Sequence, residues 1–68
     1  MKQTTNKTKR LLRTREASEY TSLSPNKLRE LGTTGRLPFV QDREGAPWLW
    51  DVRDLDGWIE RNKRTVPL

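Results

Sequence analysis

The sequence predicts an α+β fold, a small winged helix-turn-helix made of a helix-turn-helix, a two-stranded β-hairpin wing and a C-terminal helix. Three observations carry that expectation. A Ser24-Pro25 step opens a short helix that reaches Gly35-Arg36-Leu37-Pro38. Two apolar segments, residues 37–41 and 48–50, follow around a tip rich in turn residues. The chain is short and basic, with 68 residues and a net charge of +5. An α-helix fits the major groove of B-form DNA and a hairpin fits the neighbouring minor groove or backbone, so this order of elements points to binding rather than to catalysis.

Between Met1 and Arg10 the chain is Thr, Lys, Gln and Asn with no apolar periodicity, so residues 1–10 have the composition of a flexible basic arm. The domain spans residues 11–62 and a short tail spans 63–68. Thr14 is placed to cap a first helix over residues 15–21. Glu16 lies in its first turn, where the helix dipole favours an acid, and Ala17, Tyr20 and Leu23 turn inward. Ser22-Leu23 makes the turn. Ser24 is a good N-cap for the second helix, and Pro25 fits its first position, where the missing N–H would have had no partner. That helix runs from Pro25 to between Leu31 and Thr34, with Gly32 weakening its last turn and Gly35 available as a left-handed stop. Leu28 and Leu31 define its buried stripe, Asn26, Arg29, Glu30 and Thr33 its outward side, and Lys27 its flank.

Six residues, Asp42-Arg43-Glu44-Gly45-Ala46-Pro47, separate the two strand segments. They are too many for a tight two-residue hairpin, so the wing has a loose tip bearing Arg43. A period of two puts Trp48 and Trp50 on one face and an exposed Leu49 on the other. Asp51 caps the last helix, with Asp54 three residues on as in a capping box. Leu55, Trp58 and Ile59 form its inner stripe, Arg61, Lys63 and Arg64 suit its C-terminal dipole, and Pro67 ends any continuation.

A chain this short has little interior, and nearly every large apolar residue must serve it. The candidates are Leu12, Ala17, Tyr20, Leu23, Leu28, Leu31, Leu37, Phe39, Trp48, Trp50, Leu55, Trp58 and Ile59. Such a core leaves no room for an enclosed small-molecule pocket, so no cofactor or small ligand is expected. Cysteine and histidine are both absent, which removes disulfides, Cys/His zinc sites, thiol and Ser-His nucleophile systems and imidazole acid–base chemistry. The carboxylates read as solvated helix-face charges, and no enzyme or metal site is expected. With no apolar run near the roughly 20 residues of a membrane span and no signal-peptide stretch, the expectation is a soluble cytoplasmic protein.

The charge is unevenly placed. Residues 11–61 hold eight basic and nine acidic side chains, so the positive excess sits in the ends, on Lys2, Lys7, Lys9, Arg10, Lys63 and Arg64. A flexible basic arm follows a phosphate backbone; its alternative use is solubility alone.

From Leu11 to Arg61, about three quarters of the chain, the sequence resembles the excisionase or AlpA-like family of small winged helix-turn-helix proteins, relatives of the MerR DNA-binding domain. Leu11, Leu12, Glu16 and Ala17 match the family's apolar pair and the acidic and small residues of its first helix. Ser22, Leu23 and Ser24 match its Gly-aliphatic-Ser turn, Gly35 to Pro38 its Gly-x-Leu-Pro, and Trp48, Asp54, Leu55 and Trp58 its aromatic strand residue and Asp-Leu-x-x-Trp helix. Ser22 stands where the family has glycine, Gly32 where it has an aliphatic residue, and Leu49 where a basic wing residue is common.

On this reading the second helix enters the major groove. Asn26, Arg29, Glu30 and Thr33 face base edges there, since Asn bonds adenine and Arg guanine bidentately while Glu accepts from cytosine. The alternative for the same four is an ordinary solvated helix face. Arg13, Arg15, Ser24, Lys27 and Arg36 flank that face and suit phosphates, as do Lys7, Lys9 and Arg10 in the arm. Arg43 suits a narrow minor groove or, alternatively, a local ion pair with Asp42 or Glu44. Leu49 and Val52 are candidates for protein contact, or else scattered surface apolar residues.

The resemblance implies a recombination directionality factor of a phage or integrative element. Such a protein binds double-stranded DNA cooperatively with copies of itself, bends attachment-site DNA and directs a tyrosine integrase toward excision in the nucleoid. Two rivals stay open, an AlpA-like transcription regulator with the same DNA face and a protein-interaction module such as an anti-repressor.

Overall fold

The structure, a computed structural model, describes residues 9–67. Strand β1 (Leu11–Arg13) leads directly into helix α1 (Thr14–Thr21), which is followed by α2 (Pro25–Thr33), strand β2 (Leu49–Asp51) and α3 (Val52–Arg61). It is a small α+β winged helix-turn-helix. Leu12, Ala17, Leu28, Leu31, Leu37, Trp50 and Leu55 are buried together, with Leu23, Phe39, Trp48, Val52 and Trp58 packed around them. At roughly 25 cal/mol per Å² of apolar surface removed from water, this shared interior is the main force holding three short helices. No helix among the described residues is long and apolar enough to cross a membrane.

The sheet differs from the expected hairpin. β1 pairs antiparallel with β2 in the register Leu11 to Asp51, Leu12 to Trp50 and Arg13 to Leu49. Residues 37–41 contribute one bridge, in which Val40 and Leu49 exchange both backbone hydrogen bonds at 2.8 Å. The wing is thus a long loop pinned at its base by Val40. Pro38 has no N–H to give a ladder, and Phe39 turns inward to stack on Trp48 with ring centroids 3.8 Å apart.

Helix α1 begins at Thr14, one residue earlier than expected, and Arg13 occupies the cap position. The Arg13 N–H donates to Glu16 at 2.9 Å. The Thr14 hydroxyl instead accepts from the Trp50 indole N–H at 3.0 Å, satisfying the polar edge of the largest buried side chain. Tyr20 was expected inside. It is 48 % exposed and donates its hydroxyl to Asp56 at 2.6 Å, tying α1 to α3; that bond raises the Tyr20 phenol above its ordinary pKa. Ile59, also expected inside, is only half-buried.

Ser22 occupies the left-handed region at φ 66° and donates its N–H to Ser18. Ser24 caps α2 by accepting the Lys27 N–H at 3.1 Å, with Pro25 in the first turn. Helix α2 runs through Gly32, and Gly35 closes its C-terminal turn at φ 77°. Gly32 also makes room for the aromatic rings, since a Cβ there would lie 2.7 Å from Trp48 Cζ3. Asp51 caps α3 by accepting the Arg53 N–H at 2.9 Å, and no reciprocal bond from Asp54 accompanies it among the described residues.

Candidate nucleic-acid interface

Asn26, Arg29, Glu30 and Thr33 all lie exposed, and Leu28 and Leu31 on the same helix are buried. The separation follows from helical geometry, because residues three and four apart share a face. Three of the four have partners. Glu30 faces Lys27 Nζ at 3.7 Å, the Thr33 hydroxyl donates to the Glu30 carbonyl at 3.1 Å, and the Arg29 guanidinium lies 5.9 Å from the Trp48 ring centroid. The Asn26 side chain has no hydrogen bond among the described residues, so its amide is free to meet a base edge.

Between α2 and the wing runs an open cleft lined by Arg13, Thr14, Arg29, Gln41, Trp48 and residues 45–47. Trp48 forms its floor. The ring is held from below by Phe39, parallel to within 7°, and from the side by Trp50 at a centroid distance of 5.8 Å. It rests against the bare backbone of Gly32. Gln41 braces the wing by donating its amide N–H to the Ala46 carbonyl at 2.9 Å. Arg13 also lines a second cleft with Arg43 of the wing tip and a third with Lys9 and Arg15. Arg13 is thus shared by all three clefts, but carboxylates interrupt the outer two, Asp42 and Glu44 toward the wing tip and Glu16 toward α1.

Ion pairing divides the cations into two groups. Arg13, Arg15, Arg29 and Arg36 have no carboxylate within 4.0 Å among the described residues. Lys9 and Arg10, expected in the arm, are instead tied to the domain. Lys9 pairs with Glu16, and Arg10 donates from Nε and Nη2 to Asp51 at 3.1 and 2.9 Å. The Arg10 hydrogen bond, seconded by the Arg53 N–H, holds the Asp51 carboxyl below the usual carboxylate range. Lys9, seconded by the Arg13 N–H, does the same for Glu16. Both cations are committed to the fold.

Lys2 and Lys7, also expected in the arm, and Leu68 lie outside the described residues. Arg43 pairs with Asp42 at 3.1 Å, both side chains being 81 % exposed; an ion pair so open to water is weak. Ser24 uses an oxygen lone pair on its cap and keeps its proton to donate. Arg36 is exposed beyond Gly35 and lines none of the three clefts.

Two expectations for protein contact are corrected. Leu49 and Val52 are half-buried rather than exposed, because Leu49 lies between Arg13 and Val40 in the sheet and Val52 packs on the core. Conversely, Thr14, Gln41 and Trp48 line the central cleft without having been singled out for it. Gly32 was the available signal, since a glycine inside a helix costs about 1 kcal/mol and marks a close approach.

The family model of a helix-turn-helix domain matches residues 11–63. No curated protein and no solved structure matches the chain.

Proposed function

The chain belongs to the helix-turn-helix domain family and is a small DNA-binding protein, and from that premise we propose that it is an excisionase, an accessory factor of site-specific recombination. The observation that carries the DNA reading is the open polar side of α2, Asn26, Arg29, Glu30 and Thr33, standing beside arginines that have no carboxylate partner. Helix α2 lies in the major groove with Asn26 as its principal base reader, and the wing reaches the adjacent minor groove. The protein supplies no chemistry of its own. A single head of this size buries too little surface for high specificity, so copies bind side by side at attachment sites, bend the DNA and engage a tyrosine integrase there, in the nucleoid. The excision role rests on the sequence resemblance set out above.

An AlpA-like transcription regulator would use the same face, and an excision assay with the cognate integrase separates the two. The protein-interaction reading loses its exposed Leu49 and Val52.

The test is a gel-shift series on attachment-region DNA at several salt concentrations. We expect a selective shift that gains further bands as protein rises. Asn26→Ala should lower preference for the cognate over a scrambled duplex by about 1–3 kcal/mol. Equal binding of both duplexes by the wild type would refute sequence-specific reading.

A further inference from the structure

We propose that the cleft between α2 and the wing seats the phosphodiester strand dividing the two DNA grooves, with Arg13 and Arg29 as its phosphate contacts. The inference rests on the DNA reading above and assigns Arg29 to the backbone rather than to a base. A body with one element in the major groove and another in the adjacent minor groove must straddle the sugar–phosphate strand between them. Whatever the protein presents between helix and wing faces that strand.

Four features of the cleft fit a phosphodiester. Its lining carries two arginines and no carboxylate, whereas the neighbouring clefts include Asp42 and Glu44, Glu16 and Glu19, or Glu16. Neither Arg13 nor Arg29 has an ion-pair partner among the described residues. The Thr14 hydroxyl accepts from Trp50, which leaves its own proton to donate outward to a phosphate oxygen. Gly45, at φ 89° and with open space where a Cβ would stand, lets a strand approach the backbone closely.

Trp48 completes the site. Its ring is fixed by Phe39, Trp50 and Gly32, and Arg29 lies over it. That contact places the guanidinium in the lining of the cleft beside the Trp48 ring. Trp48 is therefore a positioning residue for a phosphate-bonding arginine. Phosphate contacts fix register and carry no sequence information, so sequence reading falls to Asn26, Glu30 and Thr33.

The test uses a duplex of about 20 bp selected by the wild-type chain from a random pool, and a scrambled duplex of equal composition. Affinity is measured across a KCl series. Arg13→Ala and Arg29→Ala should each weaken both duplexes by the same factor and flatten the slope of log K against log salt by about 0.9, as loss of one phosphate contact does. Arg29→Lys should keep the slope. A single methylphosphonate at the straddled position should weaken the wild type more than it weakens Arg29→Ala, which has already lost one of the two arginine contacts. If Arg29→Ala weakens the selected duplex alone with its salt slope intact, Arg29 reads a base; the cleft assignment then fails while the DNA reading stands. If the wild type binds neither duplex, both fall together.

Discussion

The outer side of α1 and α3 and the cleft between α2 and the wing handle charge differently, although α2 and the wing tip have ion pairs of their own in Lys27–Glu30 and Arg43–Asp42. On the first, Lys9 meets Glu16, Arg10 meets Asp51, Lys63 meets Glu60 and the Tyr20 hydroxyl meets Asp56. On the second, Arg13 and Arg29 line a cleft free of carboxylates. Charges on the first side are spent on cohesion; those on the second keep their field for a partner. A near-neutral balance over residues 11–61 conceals this, because charge acts through its arrangement and not through its sum.

Gly32 sits at the seam of the reading side, and replacing it tests how rigid that side is. Gly32→Ala should gain up to about 1 kcal/mol of helix propensity, but its Cβ would meet Trp48 Cζ3 at 2.7 Å, with Phe39 and Trp50 atoms at 3.2 Å. Phe39 stacks on Trp48 and Trp50 packs against both at a tilt, so Trp48 can yield only toward the cleft. Overpacking of this kind typically costs about 1–3 kcal/mol, so a net loss of about 1–2 kcal/mol is expected in urea unfolding. DNA affinity should fall as well, since a displaced Trp48 carries Arg29 with it. A higher unfolding midpoint would show that the cleft floor is soft.

The same glycine shows where sequence reading stops. Both capped helices, the left-handed Gly35 and most of the core were legible, because caps, proline at the first turn and the spacing of Leu28, Leu31 and Leu55 are local signals. β1 was not, since three residues are too few to show a period and their partner β2 lies some 40 positions along the chain. The wing was legible as a pair of apolar segments, yet one edge of β2 is taken by β1, which leaves only Val40 for the other. At the site, exposure of the α2 stripe followed from helical period. The turn of Arg29 toward Trp48 did not, because it depends on where a distant loop returns. Lys9 and Arg10 looked like tail charges, and only the folded chain brings Glu16 and Asp51 to them.

Ser22, in the turn that joins α1 to α2, offers a smaller and opposite effect. A non-glycine residue in the left-handed region pays about 1–2 kcal/mol, and Ser22, at φ 66°, is the only such residue among those described. Ser22→Gly removes that strain and adds unfolded-state entropy of about 0.4–1 kcal/mol. A net stabilisation of about 0.5 kcal/mol is expected, seen as a higher thermal midpoint with DNA affinity unchanged. A lower midpoint would mean that the serine side chain contributes more to the turn than its backbone costs.

Acid should act on the cohesive side first, and modestly, because its ion pairs are open to solvent. Asp51 and Glu16 are held below their ordinary pKa by Arg10 and Lys9, respectively. Carboxylates lowered in this way contribute stability above their unfolded pKa of about 4, and that contribution is lost as pH falls through the lower folded values. The unfolding free energy should stay level from neutrality to about pH 5 and decline below about pH 4. Asp51→Asn keeps a helix-capping side chain but removes the charge, so it should shrink the acid-dependent decline, and Glu16→Gln should shrink it further. Neither should change the salt slope of DNA binding, since neither residue lines the cleft between α2 and the wing. A changed slope in Asp51→Asn would mean that freeing Arg10 adds a phosphate contact, and the division of labour between the two sides would then be less sharp than the ion pairs indicate.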